Sequence, residues 1–350
     1  MFRQSKFFFP VTIILLVIVI LCAIAFGAVS ITMNDMFSGI VHALQNKKPA
    51  NIYQAVFLQI RLPRVILCAV TGAILSVSGV LLQGLFRNPI VEPGLIGTSA
   101  GAAFGASLVF VFAVQMSKEI QSITGPLLVP LFAFGGGLLA TFLVYSISKS
   151  QKRISITSLL LVGIAINAIG LSGTGFMSYI ARDPQARSIT FWNLGTFSGA
   201  TWLQVGITSC IAFIVFIISL RYSKQLNALI LGEEEASYLG VEPEKLKRRI
   251  LILTTAMVSV ATAFVGVISF VGLIVPHILR LLIGSDNKKL IPASMIMGAI
   301  ILIVADMGAR LLLAPAEIPI GIITSITGAP VFIFLLKKFN VLQEKGGSYA

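Results

Sequence analysis

The sequence predicts an all-α polytopic membrane protein with ten transmembrane helices, and three observations carry that expectation. Of 350 residues, 57% are hydrophobic and 11% charged, with a mean hydropathy of +0.97. A soluble domain of this length cannot bury so much apolar surface and still keep a wetted exterior. Apolar stretches of about 18 residues or more recur along the chain, the length a helix needs to cross hydrocarbon. They are continuous rather than alternating, which excludes a barrel of membrane strands. Basic residues gather in the short segments between them, where Lys and Arg fix orientation.

The candidate spans are 8–30, 63–84, 94–114, 126–147, 157–180, 203–221, 250–266, 267–283, 291–312 and 317–336. The first begins "MFRQSKFFFPVTIILLVIVILCAIAFGAV". Its apolar run exceeds the roughly 7–15 residues of a signal-peptide core, so it reads as a retained span. The stretch 250–283 is too long for one span and short for two with a loop; Gly266 and Gly272 are expected to allow a tight reversal. Arg3 and Lys6 flank the start and Lys337, Lys338 and Lys345 the end. Placing both termini in the cytoplasm makes the number of spans even. It also puts Arg87, Lys149, Lys152, Arg153, Lys245, Arg248, Arg280 and Lys288 on that side. Gly97, Gly101 and Gly105, spaced four apart, and the triplet Gly135–Gly137 predict close helix packing in lipid.

Several function classes fall away. The net charge of +13 does not imply nucleic acid, because no soluble face exists to carry a basic stripe. Cys22, Cys68 and Cys210 lie singly in apolar runs, so they read as small buried hydrophobes rather than disulfide or zinc ligands. No G-x-x-x-x-G-K-[ST] phosphate loop occurs, so ATP would have to be bound by a separate subunit. No metal or cofactor is expected on this chain. "GTSAG" at Gly97–Gly101 matches a nucleophile elbow, but it opens an apolar helix, and His42 and His277 are the chain's two histidines. Helix packing is the reading favoured over an intramembrane hydrolase acting through Ser99.

Charged and polar clusters remain. "RLPRVILCAV" places Arg61 and Arg64 at the mouth of the second span, where snorkelling to the interface is the plain explanation. Asp306 and Arg310 stand at i and i+4 with the acid N-terminal, the favourable order for a helical ion pair, and Glu317 follows. "VPHILR" carries His277 and Arg280 beside a proline, read as a kink near the cytoplasmic face, with a proton relay as the alternative. The polar segment 226–249, "LNALILGEEEASYLGVEPEKLKRR", reads as helix–turn–helix. Glu233, Glu234 and Glu235 follow Gly232 at a helix N-terminus, Gly240 ends that helix in a left-handed cap, and Pro243 opens the next. Ala236, Tyr238 and Leu239 give the element an apolar face to dock.

Together, "RLPRVILCAVTGAILSVSGVLLQGLFRNPIVEPGLIGTSAGAAFGA", "LGEEEASYLGV", "GVISFVGLIVPHILRLLIGSDNKKLIPAS" and "ADMGARLLLAPAEIPIGIITSITGAPVFIFLLKK" resemble, in order, the blocks of FecCD-type permeases. These are the membrane subunits of ABC importers for iron chelates, haem and cobalamin. The resemblance runs from about residue 55 onward. It implies a single transmembrane permease domain over residues 1–350 in a bacterial inner membrane, with the type II importer architecture. It further implies a homodimer or paired permease, two ATP-binding subunits that hold ATP and Mg, and an extracytoplasmic substrate-binding protein. Arg61, Arg64 and Arg310 would form the sockets for glutamates of that binding protein. Gly232, Glu233, Glu234, Glu235, Ala236, Leu239 and Gly240 would form the ATPase coupling element. Asn88, Pro89, Ile90, Thr157 and Ser158 would lie at an inner gate, and Asn167, Ser172 and Thr324 along the path, with interhelical hydrogen bonding as the competing reading for these polar residues. The favoured cargo is a bulky iron chelate, siderophore or haem, with cobalamin as the alternative. An ion-coupled carrier is the reading from another class, and the scarcity of midplane acids argues against it.

Overall fold

The computed structural model describes residues 5–27, 31–113, 127–150 and 153–346. The span ends expected at 28–30, 114 and 126, and the orienting residues Arg3 and Lys152, lie outside the described residues. The helices in chain order are α1 (Ser5–Ala25), α2 (Met33–Leu44), α3 (Ile52–Phe86), α4 (Thr98–Phe112), α5 (Leu128–Ser148), α6 (Ile156–Ile180) and α7 (Asp183–Asn193). They continue with α8 (Trp202–Leu231), α9 (Glu233–Tyr238), α10 (Pro243–Val265), α11 (Val271–Ile283), α12 (Asn287–Leu311) and α13 (Ile320–Gly346). Seven of them are long and apolar enough to span a membrane: α1, α3, α5, α6, α8, α10 and α12. Three apolar segments are shorter: α4, α11 and α13 through Leu335. Every expected span is thus a helix. Two-residue strands, Lys149–Ser150 and Arg153–Ile154, pair between α5 and α6.

One end of the bundle carries the loops 87–97, 232–242 and 284–286 and the strand pair Lys149–Ser150 and Arg153–Ile154, and is rich in basic residues. The other carries the segments 31–51, 181–201 and 312–319. Helix α3 runs through the centre between them. After a first α-helical turn, Ile52–Val56, it passes through a π-helical turn, Phe57–Arg61, and Arg61 and the following Arg64 are both buried. It packs on α8, α10, α11 and α12.

Small residues make these contacts possible. Backbones of α3 and α12 meet at Gly72 and Gly298, and those of α3 and α11 at Gly79 and Gly272. A Cβ on Gly79 would collide with the carbonyl of Gly272. The anticipated ladder behaves likewise: Gly101 faces Gly136, and Gly105 faces the carbonyl of Phe132. Ser99 therefore opens a packing helix. His42 is engaged at the far end with Gln54, 3.2 Å between Nδ1 and Oε1.

The reversal expected at Gly266 and Gly272 is corrected in part. Gly266 does turn the chain, with φ +78°, but Gly272 lies inside α11 against Gly79. The second half of the turn is made by Phe270, at φ +68°. Helix α11 has 13 residues, about 20 Å, short of the ~30 Å of hydrocarbon. It starts inside the bundle beside Gly79. Irregular backbone at that depth must be satisfied by protein. Glu92 Oε1 accepts from Phe270 N at 2.9 Å, capping the buried helix start, and Thr196 N donates to Val265 O at 2.8 Å. Gln83 Nε2 adds bonds to the carbonyls of Leu273 and Gly272, at 3.2 and 3.4 Å.

The glycine contacts predict a contrast. Gly79→Ala should lower stability by about 1–3 kcal/mol through overpacking. Gly175→Ala, a helical glycine with nothing within 4 Å, should be neutral or slightly stabilising. Thermal unfolding of the detergent-solubilised variants compares the two.

Candidate functional site

Two polar clusters stand at opposite ends of α3. At the end away from the basic loops, Asp306 of α12 is 2% exposed and lies between two guanidinium groups. Arg64 gives it Nη2 at 2.8 Å and Nε at 3.1–3.2 Å. Arg310, one helical turn on, brings Nε to 3.1 Å of Oδ2, an ion pair lying off the line of a hydrogen bond. The remaining fork of Arg64 is held by Glu317, with Nη1 2.8 and 3.0 Å from its two oxygens. Fork geometry of this kind suits arginine and not lysine.

Arg61 and Arg310 also close the C-terminus of α1. Arg61 Nη1 donates to the carbonyls of Ile24 and Ala25, the latter at 2.9 Å. Arg310 Nη2 donates to Ala23 O at 3.1 Å and Nη1 to Phe26 O at 3.4 Å. These are the carbonyls that a helix end leaves without intrahelical partners, and cations are favoured there. The three arginines expected as docking sockets are thus brought together at one end, but their guanidinium groups are turned inward. Glu317, whose side chain is 39% exposed, is the member of the cluster open to solvent.

At the basic end, Lys247 of α10 is 2% exposed. Its Nζ reaches Glu233 Oε2 and Glu244 Oε1, both at 2.8 Å, and Ile154 O at 3.0 Å. Ile154 N in turn donates to Glu244 Oε2 at 2.8 Å. Lys247 therefore ties α9, α10 and the small hairpin into one unit. Glu233 also lies 4.0 Å from Arg87 at the end of α3.

The helix–turn–helix of the 226–249 segment has the expected geometry. Gly232, at φ +148°, breaks the chain between α8 and α9. Gly240, at φ +80°, sends its N–H to Ser237 O while Val241 N bonds Ala236 O, both at 3.0 Å, which is a Schellman cap. Pro243 opens α10. The apolar face differs from expectation: Ala236 is fully buried, whereas Tyr238 and Leu239 point outward, 90% and 64% exposed. Glu234 and Glu235 complete the acidic first turn.

Of the residues expected at a gate, Asn88 shapes its own turn, accepting from Ile90 N at 3.0 Å, and with Pro89 borders a cavity at the basic end. Ile90 and Thr157 are exposed and Ser158 is half-buried. Asn167 is spent internally, Nδ2 donating to Gly94 O at 2.9 Å. Thr324 is buried, bonded to Gly321 O, and lines an apolar cavity of about 420 Å³ with Phe270. Ser172 is exposed on α6.

The FecCD transport family model matches residues 15–338. The chain belongs to the FecCD transport family. Among curated FecCD relatives, the Hemin transport system permease protein HmuU of Yersinia pestis is 37% identical over 95% of this chain and 96% of its own length. The Cobalamin import system permease protein BtuC of Halobacterium salinarum is 37% identical over 82% of this chain and 75% of its own. A solved metal-chelate type ABC transporter in an inward-facing conformation superposes with a TM-score of 0.82 at 32% identity, covering 96% of this chain and all of that one. The chain is a multi-span membrane permease of the ABC importer type, a transport component.

The burial of Asp306 sets a stability prediction. Asp306→Asn leaves Arg64 and Arg310 without their shared counter-ion and should cost about 3–5 kcal/mol. Glu317→Gln, at the wetter fork, should cost no more than about 1 kcal/mol. Chemical or thermal unfolding in detergent reads both.

Proposed function

We propose that this chain pairs with a second copy to carry a bulky iron chelate, haem or a siderophore, across a bacterial inner membrane, with both termini and the basic end in the cytoplasm. Two ATPase subunits, which hold ATP and Mg, engage the segment 226–249, and a binding protein delivers cargo to the Arg61–Arg64–Arg310 end. The permease chain itself binds no cofactor. The observation that carries the coupling reading is the exposed turn after α9, where Tyr238 and Leu239 project from a helix locked to α10 by Lys247 and Glu233. A push on that turn has a stiff route to α10 and, through Glu233 and Arg87, to the end of α3. The near-full-length likeness to a hemin permease favours haem or a related chelate. The equal identity of a cobalamin permease, over a smaller share of the chain, keeps cobalamin as the second reading.

At the docking end, the arginines are already paired, so an incoming carboxylate has to exchange with one of their partners. Glu317 is the candidate for exchange, being the exposed acid on Arg64, while Asp306 stays as the buried anchor. Steering and register are what exposed charges contribute best. Helices α6 and α13 present apolar faces, including Leu161, Ile164, Ile169, Ile326 and Ile333, that suit a shared path or lipid. Ser172 and Thr157 lie on the same uncovered helix.

Isolation from native membranes in mild detergent, followed by reconstitution into liposomes, tests this reading. Co-purification of a phosphate-loop ATPase and ATP-dependent uptake of haem or ferric siderophore are expected; uptake driven by a proton gradient without ATP would overturn it. Gly240→Pro should leave a folded protein that no longer supports uptake, because proline removes the N–H bonded to Ser237 and cannot adopt φ +80°. Normal uptake by that variant would remove segment 226–249 from the coupling path.

A further inference from the structure

At the basic end, a cavity of about 290 Å³ opens where α3, α8 and α11 finish. Arg87, Asn88, His277, Arg280 and Ser285 line it, and Ile230 and Leu281 form an apolar rim. Arg280 sits in the last turn of α11, where the helix dipole favours a cation. That does not account for its side chain. Nε and Nη2 are sealed from solvent and find no hydrogen-bond partner among the described residues.

No carboxylate lines the cavity. Two acids of neighbouring segments are committed elsewhere. Glu233 holds Lys247 at 2.8 Å and stands 4.0 Å from Arg87. Asp286 accepts from Asn227 Nδ2 at 2.7 Å and from Lys288 N at 3.0 Å, and the Asn227 bond above all keeps its carboxyl below the usual range. A half-buried guanidinium whose enclosed donors go unused is costly unless something satisfies it. Arg87, held at φ +50° as it leaves α3, supplies a second, half-exposed guanidinium to the same space.

We propose that this cavity is an oxyanion site for a phosphate group, with the half-buried Arg280 as the inner donor and Arg87 as the outer one. Phosphate offers the acceptor oxygens that two guanidinium forks can share. The apolar rim at the membrane boundary favours a phospholipid headgroup from the leaflet at that end, since basic pockets between transmembrane helices hold such groups. Free phosphate has the same chemistry and is the other source. An occupied site would brace the junction of α3 and α11 next to the α9 turn.

The test uses the full chain, purified in detergent and delipidated, with phosphatidylglycerol, phosphatidylcholine or inorganic phosphate added. Native mass spectrometry should find phosphatidylglycerol retained over phosphatidylcholine, and R280Q should lower that retention about five-fold or more. Arg280→Lys keeps a cation and should retain an intermediate share. R87Q, at a half-exposed position, gives a second reading if R280Q folds poorly. Lys288→Gln, an exposed cation outside the cavity, is the control. Retention of the lipid with no response to inorganic phosphate assigns the site to a headgroup. A thermal shift by inorganic phosphate that is lost in R280Q and R87Q assigns it to the free anion. Equal lipid retention and no phosphate-dependent shift in wild type, R280Q and R87Q would overturn the proposal.

Discussion

Asp306 is the charge on which one end of this molecule depends. It is a single carboxylate, almost wholly removed from solvent, with a guanidinium on either side. Without it, Arg64 and Arg310 would be two like charges brought together at low dielectric, a strongly unfavourable state. With it, both arginines can turn inward and spend their remaining donors on other parts of the chain. Arg310 closes the carbonyls of α1, Arg61 joins it there, and Arg64 reaches forward to Glu317. Three segments distant in sequence, the end of α1, the start of α3 and the stretch 306–317, are fastened by groups that a membrane helix would otherwise keep at the interface.

The opposite end uses the mirror arrangement: a buried cation, Lys247, shared by two carboxylates and a carbonyl. Between the two clusters, polar contacts such as those of Gln83 with the carbonyls of Gly272 and Leu273 are scattered among apolar packing. The bundle's cohesion comes from buried side chains such as Leu67, Ile74, Leu81 and Leu302, and from glycine contacts such as Gly72–Gly298 and Gly79–Gly272, where backbones touch.

Much of this was legible in the sequence, for identifiable reasons. Span positions follow from hydropathy, and the turn at Gly240 follows from acids, glycine and proline at cap spacing. The i, i+4 pair of Asp306 and Arg310 was visible because both lie on one helix. Arg64 as Asp306's main partner was not, because it lies 242 positions away and such pairing is a property of the fold. Lys247 looked like one more basic residue at a membrane edge; its spacing of three from Glu244 was the available signal. Gly272 was misjudged as a turn residue because a glycine for close packing and a glycine for positive φ look identical in sequence, and Phe270 gave no hint of its left-handed backbone. Asn167 bonds the carbonyl of Gly94, 73 positions away, and Thr324 that of Gly321 on its own helix, contacts that residue type and position do not specify.

The measurement that bears most directly on the Asp306-centred account is a double-mutant cycle on Arg64 and Asp306, using Arg64→Met, Asp306→Leu and their combination, with unfolding free energies taken in detergent. The account predicts that each single variant is strongly destabilised and that the double variant recovers a large part, for a coupling of about 2 kcal/mol or more. Costs that add to within about 0.5 kcal/mol would show that the two residues act independently and would contradict it.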